Sequence, residues 1–173
     1  MQGILKRPAW RLPHVASTLY SFCKYPVSRA LQAPYMSLTF LHFADLHLGV
    51  ENYGRIDPQT GQHSRIEDFS QSLGTAFDFA IDEQVDLVVF AGDAYKTCDP
   101  SPTHQRAFAR QLRRLQEAAI PTVLIVGNHD TPAAFGKATS LDIFGALELD
   151  NTHVMRRPEL IKVRTSNGPV QIA

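Results

Sequence analysis

LTFLHFADLHLG, residues 38–49, decides the reading of this chain. Its first half is an apolar run of the kind that forms a buried strand, and it stops abruptly at Asp45 and His47. Strands normally run out into turn residues. This one runs out into a carboxylate and an imidazole, both of them metal-ligand side chains.

Two further stretches repeat the arrangement. VDLVVFAGD (85–93) is rich in β-branched residues and ends in Gly92-Asp93. TVLIVGNHD (122–130) ends in Gly127-Asn128-His129-Asp130. Between the first two strands, Ile66, Phe69, Leu73, Phe77, Ala80 and Ile81 recur at helical spacing behind Ser64-Arg-Ile-Glu67, which predicts a capping box with Ser64 as N-cap. Between the second and third, Ser101-Pro102 starts a helix with Phe108, Leu112, Leu115 and Ala119 as its core stripe. A short helix within 140–149 is expected, then short strands at 152–155, 160–164 and 170–172, with Asn167-Gly168 as a hairpin turn.

The order strand, helix, strand, helix, strand predicts an α/β fold with a mainly parallel sheet and helices on both faces. Ligands bind such sheets beyond the carboxyl ends of the strands. Asp45, His47, Asp93, Asn128, His129 and Asp130 would then share one rim. Several carboxylates in a crevice repel one another unless a cation sits among them. Nitrogen and oxygen donors without thiolate suit manganese, iron or zinc. Asp-x-His or Gly-Asp alone is a weak signal. Three motifs, in this order and each at a strand end, are a strong one.

Composition bounds the rest. The 173 residues are enough for one hydrophobic core, and no apolar run is long enough to span a membrane. Cys23 and Cys98 match no metal or redox spacing and read as free thiols of a reducing, cytoplasmic compartment. Net charge is zero, but residues 1–35 carry five Lys and Arg and no acid. The remainder holds 12 Lys and Arg against 17 Asp and Glu, a net charge of −5, so bulk charge gives no support for nucleic-acid binding. Residues 1–35 are expected to be a basic extension, disordered or non-native, with a targeting segment or a partner-contacting basic tail as the alternatives; residues 36–173 form the domain.

In its three motifs the chain resembles the calcineurin-like metallophosphoesterases. HFADLHLG, AGDAYKTCDPSPTHQRAFA and VGNHDTP are more closely similar to the SbcD nuclease-subunit family, over about residues 38–172. The resemblance implies a DNA exo- and endonuclease subunit of DNA repair and recombination, on a partial four-layer sandwich. It implies two divalent ions, manganese in vitro, that activate a hydroxide for attack on the phosphodiester. Asp45 and His47 would bind the first ion, Asp93 would bridge the two, and Asn128 would bind the second. His129 would contact the phosphate as general acid, with Asp130 orienting it. The implied partners are DNA and an SbcC-like SMC ATPase, with a possible homodimer and no membrane.

Two departures stand out. Many members carry a second acid in Gly-Asp-x-x-Asp, where this chain has Lys96. The family completes its site with a later histidine and a Gly-His-x-His motif, but His153 alone follows Asp130, in a context that does not match. A truncated, non-catalytic fragment is therefore the rival reading, and a phosphatase or cyclic-nucleotide phosphodiesterase the second rival. The remaining features read as structural. Arg106, Arg110, Arg113 and Arg114 form a solvated helix face, His63 and His104 are surface or capping residues, and His42 is packed in the strand. Tyr95 is open to either packing or base stacking.

Overall fold

A computed structural model of the chain describes residues 21–22, 37–134 and 136–173. The strands are β1 (Ser21–Phe22), β2 (Phe40–Phe43), β3 (Leu87–Phe90), β4 (Thr122–Ile125), β5 (Thr152–Met155), β6 (Ile161–Thr165) and β7 (Gly168–Ile172). The helices are α1 (Ser64–Asp82), α2 (Pro102–Glu117) and α3 (Asp142–Ala146). The expectations for residues 1–35 and for Cys23 lie outside the described residues, apart from the two residues of β1.

The main sheet has the order β1-β2-β3-β4-β5. β2 to β5 are parallel neighbours, and β1 pairs antiparallel with β2. Alternation along each strand divides its side chains between two faces. On one face Leu41, Phe43, Val88, Phe90 and Leu124 pack against Leu73 and Phe77 of α1, Phe108, Leu112 and Leu115 of α2, and Phe144 of α3. On the other, Leu87, Val123 and Met155 meet Val163, Ile161 and Ile172 of the β6–β7 hairpin.

The expected helices on both faces are thus corrected among the described residues: helices cover one face and a two-stranded sheet the other. Strand order here equals chain order. Successive crossovers of one hand then deliver α1 and α2 to the same side. The two helices are joined there by Gln111 Nε2 donating to Ser70 O at 3.2 Å and by the Arg114–Asp78 ion pair. Arg114 therefore leaves the solvated arginine face, while Arg106, Arg110 and Arg113 stay on it.

Local signals held unevenly. Ser101 caps α2 through its side chain, accepting from His104 N at 3.3 Å, with Pro102 at the first position. The capping box at α1 does not form. His63 is the N-cap, and its Nδ1 accepts from Arg65 N, while the Ser64 hydroxyl is taken by Arg55 N of the preceding loop. Ala119 leaves the core stripe because it adopts φ +56° just past the end of α2 and is exposed. The hairpin turn lies at Ser166-Asn167, since Gly168 already pairs with Thr165.

The hairpin is pinned at its tip. Asp86, at 3% exposure, accepts from Ser166 Oγ at 2.6 Å, Asn167 Nδ2 at 2.8 Å and Thr39 N at 2.9 Å. Burial alone would raise its carboxyl pKa. The hydrogen bonds from Ser166, Thr39 and Asn167 outweigh that and hold it below the usual range.

Candidate metal centre

The strands end earlier than their apolar runs, and the site is built from the loops beyond them. Past Phe43 and Phe90 the two chain segments stay zipped without regular strand geometry. Asp45 N donates to Gly92 O at 3.0 Å, His47 N to Asp93 O at 2.9 Å, and Leu48 N to Ala94 O at 2.9 Å. Asp45, His47 and Asp93 all hold left-handed backbone, with φ of 58°, 47° and 60°. Non-glycine residues rarely adopt this conformation, and it concentrates at functional sites.

The β3 and β4 exits touch through glycine. A Cβ on Gly92 would lie 2.8 Å from Gly127 Cα, and one on Gly127 would lie 2.2 Å from Asp93 Oδ1. Only a bare backbone fits between the two loops.

These turns bring Asp45, His47, Asp93 and His129 together. Ligand atoms of His47, Asp93 and His129 all lie within 4.8 Å of one another. His47 Nε2 stands 3.5 Å from Asp45 Oδ1, and the His47 and His129 rings meet edge to face at 4.8 Å. Asp93 is nearly buried, and its Oδ1 accepts from His129 N at 2.9 Å. Two carboxylates and two imidazoles, without thiolate, form a donor set that fits a divalent cation of the manganese, iron or zinc type. Asn128 is exposed on the same β4 exit loop.

Asp130 does not meet the His129 ring. Its fully buried carboxylate accepts from four backbone N–H groups: Asp93 at 2.9 Å, Ala94 at 3.2 Å, Tyr95 at 3.2 Å and Gly127 at 3.1 Å. The ring of His129 is held instead by the Lys96 carbonyl, 3.0 Å from Nδ1. Sequence reasoning misses this partner, because a backbone carbonyl leaves no trace in residue identity. Tyr95 is fully buried, packed edge to face on Phe108, so the base-stacking alternative is set aside. Burial, with Asp130 beside it, pushes its phenol pKa far up. His104 packs against Gly49, close to the β2 exit. His153 lies on β5 opposite Val123, two residues short of the level of Ile125 and away from the rim.

A family model described as calcineurin-like phosphoesterase matches residues 38–168. The chain belongs to this family. Among relatives of this phosphoesterase, the DNA double-strand break repair protein Mre11 of Saccharolobus solfataricus is 30% identical over 122 residues, covering 70% of this chain and 30% of its own. The SbcD subunit of the SbcCD nuclease of Bacillus subtilis is 34% identical over 105 residues, covering 60% of this chain and 25% of its own. Mre11 of Sulfurisphaera tokodaii is 36% identical over 95 residues, covering 55% and 23%. The phosphoesterase chain thus spans between about a quarter and a third of these relatives. No helix among its described residues is long and apolar enough to cross a membrane.

Proposed function

We propose that this chain carries part of the metal centre of a DNA nuclease of the SbcD and Mre11 type, which hydrolyses phosphodiester bonds with two divalent ions, manganese in vitro. The observation that carries the reading is the convergence of His47, Asp93 and His129, with Asp45 beside them, beyond the carboxyl ends of parallel strands. The names of the relatives favour DNA over other phosphoesters.

In this reading Asp45, His47, Asp93 and Asn128 hold the ions. When bound, two such ions polarise a phosphoryl oxygen and lower the pKa of a water enough for it to act as nucleophile near neutral pH. The chain's own residues do the rest. Asp93 contributes its carboxylate from a backbone that donates to Asp130 and lies close against Gly127. His129 is the group that contacts the phosphate and, once its Nε2 has taken up a proton, gives that proton to the leaving oxygen as general acid. An SMC-like ATPase is the partner this reading implies, with a second copy of the chain as a further candidate.

The test is hydrolysis of single-stranded DNA by the purified chain in manganese, with Asp93→Asn as control and a nitrophenyl phosphomonoester and a cyclic nucleotide as competing substrates. Loss of a metal ligand removes several kcal/mol of charge stabilisation, so the control should fall by about 10³-fold. DNA cleavage insensitive to Asp93→Asn, or turnover of the competing substrates alone, would overturn the proposal.

A further inference from the structure

The hydrogen bonds around His129 fix more than its position. A carbonyl oxygen has no hydrogen to give, so the 3.0 Å contact between Lys96 O and Nδ1 requires the proton to sit on Nδ1. In the neutral ring, Nε2 is then bare and offers a lone pair. We infer that Asp130 and Lys96 act as positioning residues that hold His129 in the Nδ1–H tautomer, with Nε2 as the nitrogen presented to the metal centre. This rests on the phosphodiesterase reading and deepens it.

The carbonyl is held in place from both sides. Asp130 takes the N–H groups of Asp93, Ala94 and Tyr95, the three residues leading up to it. Lys96 N donates to Leu48 O at 2.9 Å, tying the same residue to the β2 exit. His129 is fixed at its other end by its own N–H on Asp93 Oδ1. Asp130 therefore orients its sequence neighbour by a detour. It sets the path of the β3 exit, and that path delivers an acceptor to the ring. A side chain whose second nitrogen is held this way loses ring rotation and tautomeric freedom before any ligand arrives.

The experiment is nitrogen-15 NMR of the histidine rings in the metal-free chain, at a pH where they are neutral. His129 should show a protonated Nδ1 and a bare Nε2. Asp130→Asn weakens the clamp, and Lys96→Pro, at an exposed position, deletes the N–H bond to Leu48. Each should shift His129 toward the Nε2–H form, read as loss of the Nδ1–H signal. A wild-type ring protonated on Nε2 overturns the inference, whether or not Asp130→Asn folds. So does a folded variant whose tautomer is unchanged, since that is what a purely structural clamp predicts. A wild type with the Nδ1–H ring and no nuclease activity would sink the nuclease reading and leave the tautomer assignment standing.

Discussion

Two buried aspartates sit at opposite ends of the same sheet. Asp130, at the carboxyl end, collects four backbone N–H groups from two loops. Asp86, at the amino end, collects one backbone N–H and two side-chain donors from the hairpin tip. Both solve the same problem, since a buried carboxylate must be saturated with donors. They differ in what the donors belong to. Asp130 organises backbone that carries candidate ligands, whereas Asp86 fastens one layer to another. The first should therefore control chemistry and the second stability.

The sharpest way to break this contrast is at the carboxyl end. Gly127→Ala drives a methyl into Asp93, whose Oδ1 and N would lie 2.2 and 2.3 Å away. It should destabilise the fold by about 1–3 kcal/mol and abolish manganese binding, read by urea titration and by manganese EPR. Intact manganese binding would mean that the rim can relax, and the contrast would fail. At the amino end, Asp86→Ala should cost about 1–3 kcal/mol while leaving manganese affinity unchanged.

The same residue sets a pH dependence. Its carboxyl pKa is lower in the folded chain than the ordinary value of 3.8. The stability it contributes is complete above that value and is lost as pH falls through the folded one. Urea unfolding followed from about pH 5 down to about pH 3 should show this loss, and Asp86→Asn should lack that component. The smallest effect concerns Tyr95, whose buried hydroxyl has no hydrogen-bond partner among the described residues. Tyr95→Phe should leave stability unchanged or raise it by up to about 1 kcal/mol. A clear loss would show that the hydroxyl has a partner, such as an ordered water.

The sequence made the strands and the side chains beyond them legible for one reason: apolar runs give way to residues with unmistakable chemistry. Where each strand ends was not legible. Asp45, His47 and Asp93 leave the ladder through left-handed backbone, which no propensity assigns to them. The capping box failed because Ser64 had a competing partner, Arg55, nine residues back along the chain. The face chosen by α1 and α2 depends on spatial strand order, which helical periodicity does not encode. The site was legible as a set of side chains. Its scaffolding is mostly backbone, and backbone groups are the same in every residue.

The glycine contact between the β3 and β4 exits bears on how this chain tolerates change. Most close contacts in a protein can be repaired by a compensating substitution, because one side chain shrinks as another grows. A Cβ on Gly92 would meet only backbone atoms, of Gly127 and Ile125, and one on Gly127 would meet the Asp93 backbone nitrogen as well as its carboxylate, so trimming a side chain relieves neither clash. A second mutation at the facing position has nothing to give back, so the two sites should behave as isolated dead ends in a mutational landscape. Saturation mutagenesis would find both columns empty, and pairwise libraries would fill neither.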